Sequence, residues 1–317
     1  MENLSQSGPA GEGSREPRVN IIVLNWNSYN VTRDCLLSLQ KLDYTNHEVV
    51  VVDNGSADSS GLKLAEDFPE VRLIQNERNL GFSGGCNVGI RDALSRGTDY
   101  VLLLNNDTVA APALLRELVR ISDSSPQVGM VNPKIYFFDP ADRIWYAGGV
   151  YKPGWSFSKH IGVHKRDDGS YDQTHEVSFV TGCALLVKAE VVRRVGLLDE
   201  MFFLSFEDLD WCVRALHAGF KALYVPAGVV WHKDAHDTTS NLGKAGKDFH
   251  STRSSVLFAR KHLSAKYWPL FLLSLGRFVA YRTAGYLIRI QPERVVALYR
   301  GMWSGFLATM PVTSECA

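Results

Sequence analysis

The chain has 317 residues, with 34 Lys and Arg against 34 Asp and Glu, and this zero net charge argues against wholesale nucleic-acid binding, which needs a clearly basic surface. With 45% hydrophobic and 21% charged residues it is globular rather than disordered, and its length suits one large α/β domain or a domain plus an appendage. The five cysteines (Cys35, Cys86, Cys183, Cys212, Cys316) include no Cys-x-x-Cys pair, so neither a disulfide scaffold nor a zinc ribbon is expected, and a reducing, cytoplasmic setting is.

Residues 1–18 are dominated by Gly, Ser, Glu and Pro without an apolar stretch, and are expected to form a flexible tail rather than a signal peptide. The run VNIIVLN (Val19 to Asn25) is continuous, apolar and rich in β-branched residues, the pattern of a strand buried on both faces in a parallel sheet. Helical spacing follows from Val31 to Leu42. A second buried strand, EVVVVD, ends on Asp53. A helix (Ser59 to Asp67), a short strand (Val71 to Gln75), a helix (Ser83 to Ser95) and a further buried strand, YVLLLN, come next. Strands that alternate with helices and end on polar residues predict an open, mostly parallel α/β sheet, in which ligands bind beyond the strand carboxyl ends. Residues 133–180 are crowded with aromatics and turns and are expected to carry short strands and an acceptor region. A helix from Phe206 to Ala218, the strand FKALYVP and a helix over 248–263 complete the body, and 264–317 are expected to form a separate helical appendage.

Five places can carry chemistry. Asp53 closes the second strand and could accept a base N–H or a ribose hydroxyl, although turn or cap duty explains such a residue equally well. The stretch NLGFSGGCNVG (Asn79 to Gly89) lies between strand and helix; it is neither G-x-G-x-x-G nor a Walker loop, and its glycines also suit close helix–sheet packing. LLLNNDT brings Asn105, Asn106 and Asp107 to the end of the fourth strand. A carboxylate there can ligate Mg²⁺ or Mn²⁺ bridging a diphosphate, because hard cations prefer oxygen. FEDLDW carries Glu207, Asp208 and Asp210 at a helix start, where acids also suit the helix dipole; beside the rings of MFFLSF an acid becomes a plausible general base. His232, after the last strand, could ligate Mn²⁺, with His236 as a weaker competitor.

In order, the segments IIVLNWNS, VVDNGSADSS, NLGFSGGCNVGI, LLLNNDT, TGCALLVKAE, GLLDEMFFLSFEDLDWCVRALHAGF and VVWH resemble the family 2 glycosyltransferases of GT-A fold over roughly residues 19–235. The N-N-D-T and F-E-D-x-D pieces look like the rhamnosyltransferase-type branch that builds cell-surface polysaccharide. The resemblance implies inverting transfer from a nucleoside diphosphate sugar (UDP- or dTDP-linked) to a hydroxyl of a glycan or lipid-linked acceptor. It implies that Asp53, the Asn25 segment and the loop of Asn79, Gly81 and Phe82 line the nucleotide pocket, and that Asp107 and His232 hold Mg²⁺ or Mn²⁺. Asp208 would be the base, supported by Glu207. One departure is the first acid of the family's D-x-D, which is Asn105 here, so a single carboxylate remains in that motif. The domain division that follows is a GT-A unit over 19–263, with a nucleotide-binding half near 19–132 and an acceptor half near 133–263.

The zero net charge conceals an asymmetry. Residues 251–317 hold nine basic residues against Glu293 and Glu315, a net of +7, so the first 250 residues stand at −7. Within YWPLFLLSLGRFVAYRTAGYLIRI (267–290) the uncharged run is too short to span a bilayer, and its arginines and aromatics suit a helix lying on an anionic membrane surface. A helical cap on the domain or a partner in an oligomer explains it too. Arg253 resembles a phosphate-reaching arginine of relatives. Two other functions compete: a non-catalytic GT-A-like module binding glycan or a partner, and a sugar-1-phosphate nucleotidyltransferase. The second would carry a Gly-rich basic loop after the first strand, where this chain has Asn25-Trp26-Asn27-Ser28.

Overall fold

The computed structural model describes residues 15–233 and 242–310. The first half of the body runs β1 (Val19–Asn25), α1 (Tyr29–Leu39), β2 (His47–Asp53), α2 (Ser60–Asp67), β3 (Arg72–Gln75), α3 (Gly81–Ser95) and β4 (Tyr100–Asn105). Next come β5 (Thr108–Ala110), α4 (Leu114–Ser122), β6 (Val128–Phe137), β7 (Ile144–Tyr146) and the two-residue strands β8 (Gly149–Val150), β9 (Lys159–His160) and β10 (His175–Glu176). The chain continues with β11 (Ala184–Lys188), α5 (Ala189–Val195), α6 (Glu207–His217), β12 (Lys221–His232), α7 (Gly243–His262), α8 (Trp268–Ile288) and α9 (Pro292–Leu307).

The central sheet has the order β10-β12-β6-β11-β4-β1-β2-β3. Of its seven long-range strands from β12 to β3, only β11 runs against the rest, so the sheet is mostly parallel, as expected. β1, β2 and β4 are buried because helices cover both faces, which is why their sequences are unbroken apolar runs. Their register aligns the carboxyl ends: Asn25 lies opposite Asp53, and Leu24 opposite Asn105. Because β11 runs the other way, its entry, Thr181-Gly182-Cys183, arrives at this same edge. There Asn105 N–H donates to the Cys183 carbonyl at 2.8 Å.

Three sequence expectations need correction. Residues 15–18, assigned to the tail, are fixed against the body: Arg18 donates its backbone N–H to Asp99 and its guanidinium to Glu48, and Asn46 and Thr45 donate to the Glu16 carboxylate. The remaining tail residues, 1–14, lie outside the described residues. The helix expected from Ser83 starts two residues earlier, at Gly81, and takes in Gly84, Gly85 and Gly89. A Cβ on Gly85 would stand 2.4 Å from Leu24 Cδ1, and one on Gly89 2.7 Å from Ile22 Cγ2, so these glycines let α3 lie directly on the sheet. Finally, the C-terminal helices are not detached. α7 gives Leu257 and Phe258 to the main core, and Val256 and Ala259 to a second core with Phe271, Leu275 and Val279 of α8 and Leu298 of α9.

A buried carboxylate locks this second core. Asp248 of α7 accepts from Arg282 (2.8 Å) and Tyr286 (2.9 Å) of α8 and from Arg294 (2.7 Å) of α9. Close approach of α9 to α7 requires Gly301, where a Cβ would meet the Phe249 carbonyl oxygen at 2.3 Å. Among the described residues no helix is long and apolar enough to cross a membrane.

Candidate active site

The carboxyl edge of the sheet opens into a cleft of about 400 Å³. Its floor along β1, β2 and α3 holds Trp26, Asn54, Asn79, Gly81 and Phe82, and its centre holds Asn105, Asp107, His232, Glu207 and Asp208.

Asp107 and His232 meet because β5 folds back immediately after Asp107. β5 pairs antiparallel with the end of β12, which sets His232 opposite Thr108. His232 Nε2 then lies 3.1 Å from Asp107 Oδ1, both side chains being buried. His232 Nδ1 has no hydrogen-bond partner and Asp107 Oδ1 none beyond this imidazole, which is costly for buried polar atoms. Burial disfavours charge on the imidazole, yet Cys183 and Asp107 facing it carry the His232 pKa well above the usual histidine value. The pair is thus a place that holds positive charge. Two ligands on adjacent vertices of an octahedron with bonds of about 2.1 Å stand about 3 Å apart, so an oxygen–nitrogen pair at this spacing suits Mg²⁺ or Mn²⁺. Among the described residues no third His, Cys, Asp or Glu joins them, so a cation there would complete its shell from substrate and water. His236 lies outside the described residues.

Opposite this pair, α6 starts from a strained turn. Ser205 and Phe206 both adopt left-handed backbone, with φ of 68° and 73°, a conformation that costs energy for side-chain-bearing residues and clusters at functional sites. The turn aims Glu207 and Asp208 into the cleft. Asp208 Oδ2 accepts the Gly182 N–H at 2.9 Å and Oδ1 the Leu209 N–H at 2.7 Å. The Gly182 loop is held in turn by Asn132, which donates to the carbonyls of Thr181 and Ala184 and accepts from the Thr181 N–H. Burial pushes the Asp208 carboxyl up to about 6, against the two N–H groups that favour its charged form. Burial, and then the charge of Asp208, push Glu207 well above the usual carboxyl range, and its Oε2 has no partner. A neutral Glu207 beside an Asp208 that ionises near neutral pH is a pair in which one carboxylate can accept a proton. Asp210, on the same helix, faces away from the cleft toward Arg214, Lys261 and His262, which hold its pKa down to about 2 against burial.

The remaining candidates separate. Asn79 lines the cleft, its Oδ1 accepting from Asn54 Nδ2 and the Gly81 N–H, and Gly81 and Phe82 stand beside it. Asn25 and Asp53 do not line it. Asn25 Nδ2 donates to Asp53 Oδ1 at 2.9 Å and to Ser60 Oγ at 2.8 Å, and both side chains are buried beneath the floor. Their neighbours Trp26 and Asn54 face the cleft instead. Arg253 is also absent from the lining: it donates to the Met201 carbonyl at 2.9 Å. Lys247 and Ser251 of α7, one turn apart, are the residues that helix presents. Arg253 lies six residues beyond Lys247, about 240° around the axis, and so points elsewhere. The sequence carried no local signal for Lys247, whereas Trp26 and Asn54 sat inside segments already singled out.

Solved structures share this architecture. A mannosyltransferase from Pyrobaculum calidifontis in complex with GDP-Man and Mn2+ matches 95% of this chain and 91% of its own, with a TM-score of 0.58 at 17% identity. Staphylococcus aureus TarS 1–349 in complex with UDP-GlcNAc matches 90% of this chain and 80% of its own, at TM-score 0.57 and 16% identity. At these identities the likeness defines the fold, that of the GT-A transferases. The profile of the Glycosyltransferase like family 2 matches residues 17–248, and the chain belongs to that family. An uncharacterized protein of Sinorhizobium fredii is 30% identical over 230 residues, 69% of this chain but a quarter (25%) of that protein. An N-acetylglucosaminyl-diphospho-decaprenol L-rhamnosyltransferase of Mycobacterium tuberculosis is 28% identical over 60% of this chain and 67% of its own length. A dTDP-rhamnosyl transferase of Shigella flexneri is 29% identical over 59% and 60% respectively.

Proposed function

We propose that the chain transfers a sugar, rhamnose in the first instance, from a UDP- or dTDP-sugar to a hydroxyl of a glycan or lipid-linked acceptor, with inversion at the anomeric carbon. The observation that carries this reading is one cleft with a half-buried carboxyl of pKa about 6 at Asp208 and a buried carboxylate–imidazole pair at Asp107 and His232 whose Nδ1 has no partner.

The nucleotide lies on the floor formed by Trp26, Asn54 and Asn79, with the diphosphate between Asp107 and Lys247. Asp107 and His232 would hold a divalent cation, which would supply positive charge for the departing diphosphate. Lys247 adds a point charge from the facing helix. Asp208, fixed by the Gly182 and Leu209 N–H groups, takes the proton of the acceptor hydroxyl as that oxygen bonds to the anomeric carbon. The bond from that carbon to the diphosphate oxygen breaks in the same displacement, and the electron pair leaves with the diphosphate. Inversion needs one such base, in contrast to the carboxyl pair that flanks the bond in a glycosidase. Glu207, neutral and in contact with the cleft, keeps the ionisation on Asp208. The rhamnosyltransferases among the relatives support the choice of sugar.

The test is Asp208→Asn with a panel of nucleotide sugars, with and without Mn²⁺. Transfer should fall by at least about a thousandfold, within the range for loss of a general base. The melting-temperature rise on adding the preferred donor should persist, because ligand stabilisation follows affinity for the folded state. Normal turnover by this variant would remove Asp208 from the mechanism.

A further inference from the structure

Among the described residues fifteen large apolar side chains stand exposed, and eleven of them lie between Leu270 and Leu307. The cause is that α8 turns only one face inward. Phe271, Leu275 and Val279, four residues apart, enter the second core with Tyr286. The outward side carries Leu273, Tyr281, Leu287 and Ile288, the last 83% exposed. α9 adds Val296, Tyr299, Trp303 and Leu307, at spacings of three or four that form one stripe. Exposed charge on the two helices and the turn before them is basic, at Lys266, Arg277, Arg289 and Arg300, against one acid, Glu293. Exposed apolar side chains gathered in this number on two neighbouring helices mark an interaction site.

Charge decides between the two occupants that an apolar face can take. Two-fold pairing with a second copy buries the patch against itself, so the basic residues of both copies would gather at one interface with one acid per chain to offset them. An anionic bilayer accepts the leucines and isoleucines, complements the arginines with headgroup phosphates and suits tyrosine and tryptophan at its interface. The position of α8 also places such a surface beside the cleft. Its Phe278 ring lies 4.4 Å, centroid to centroid, from Phe157, which lines the cleft, and its Ser274 Oγ accepts the Ser156 N–H at 3.1 Å.

We propose that the outward faces of α8 and α9 are a docking surface for an anionic lipid bilayer, which sets the Phe157 wall of the cleft next to the membrane. This stands independently of the transfer reaction, because vesicle binding needs no nucleotide. The experiment is sedimentation of the full chain with vesicles of phosphatidylcholine alone or mixed with phosphatidylglycerol, beside sedimentation equilibrium without lipid. Two variants accompany it, Leu273→Glu/Ile288→Glu/Trp303→Glu and Arg277→Glu/Arg289→Glu/Arg300→Glu, with melting temperature as the folding control. The expected result is binding to the mixed vesicles that falls in both variants at unchanged melting temperature, by at least about a hundredfold in the arginine variant, since each basic residue near the surface counts for close to a fivefold factor. Wild-type chain that stays in the supernatant, or binds both vesicle types alike, overturns the proposal. A dimer that dissociates in the Leu273→Glu variant assigns the face to a second copy and overturns it as well.

Discussion

Asp208 is the side chain whose environment departs furthest from that of a surface carboxylate while still able to ionise near neutral pH. A base must be ionised to work, so transfer should rise with pH through an apparent pKa of about 6 and level off above it. A rate–pH profile under saturating donor checks this, and an ascending limb near the ordinary aspartate value would mean that burial does not govern Asp208 in the working enzyme. Lys247 makes a separate expectation. Its ammonium faces the cleft from α7, where a charge-assisted contact to a phosphate contributes about 1.5–3 kcal/mol. Lys247→Ala should therefore raise the donor Kd by about tenfold or more, read by titration calorimetry, whereas Arg253→Ala, which loses a bond to Met201, should leave donor affinity near wild type.

At the scale of the elements, the site depends on close approach more than on catalytic side chains. α3 can lie on β1 and β2 because Gly85 and Gly89 present no Cβ to Leu24, Ile22 and Val52. Gly89→Val should force these apart and cost about 1–3 kcal/mol in urea unfolding, the usual penalty for overpacking a filled core. The strand and helix positions were legible in the sequence for a local reason: strands buried on both faces must be apolar throughout, and β1 was bounded correctly at Val19 and Asn25. The start of α3 lies two residues before the Ser83 that the sequence suggests, since glycine is a poor helix former and contact with the sheet carries the helix back to Gly81. The same distinction separates Asp53 from Asn54. The sequence marks the strand end, but the direction each polar side chain takes there is set by which neighbour it finds, and Asp53 finds Asn25.

At the scale of the whole molecule, the charge asymmetry has a structural counterpart. Part of the excess positive charge of the last 67 residues turns inward, where Arg282 and Arg294 close on Asp248 of the acidic body, and part remains outside with the apolar stripe. Asp248→Ala would leave these guanidinium groups without a counter-charge. It should cost about 3 kcal/mol, the low end for breaking a buried pair because Arg282 is partly exposed. Hydrogen exchange should show α8 and α9 opening before the sheet, and uniform loss of protection would indicate that the helices fold with the sheet as one unit. The sequence by itself determined the family, the order of strands and helices and the acids at the strand and helix ends, because each is written in a short stretch of chain by periodicity and residue type. Tertiary structure alone decided that Asn54 rather than Asp53, and Lys247 rather than Arg253, faces the cleft, and which face of α8 stays outside. Those outcomes depend on the packing of segments distant in sequence, through strand pairing, helix rotation and desolvation, none of which a local pattern records.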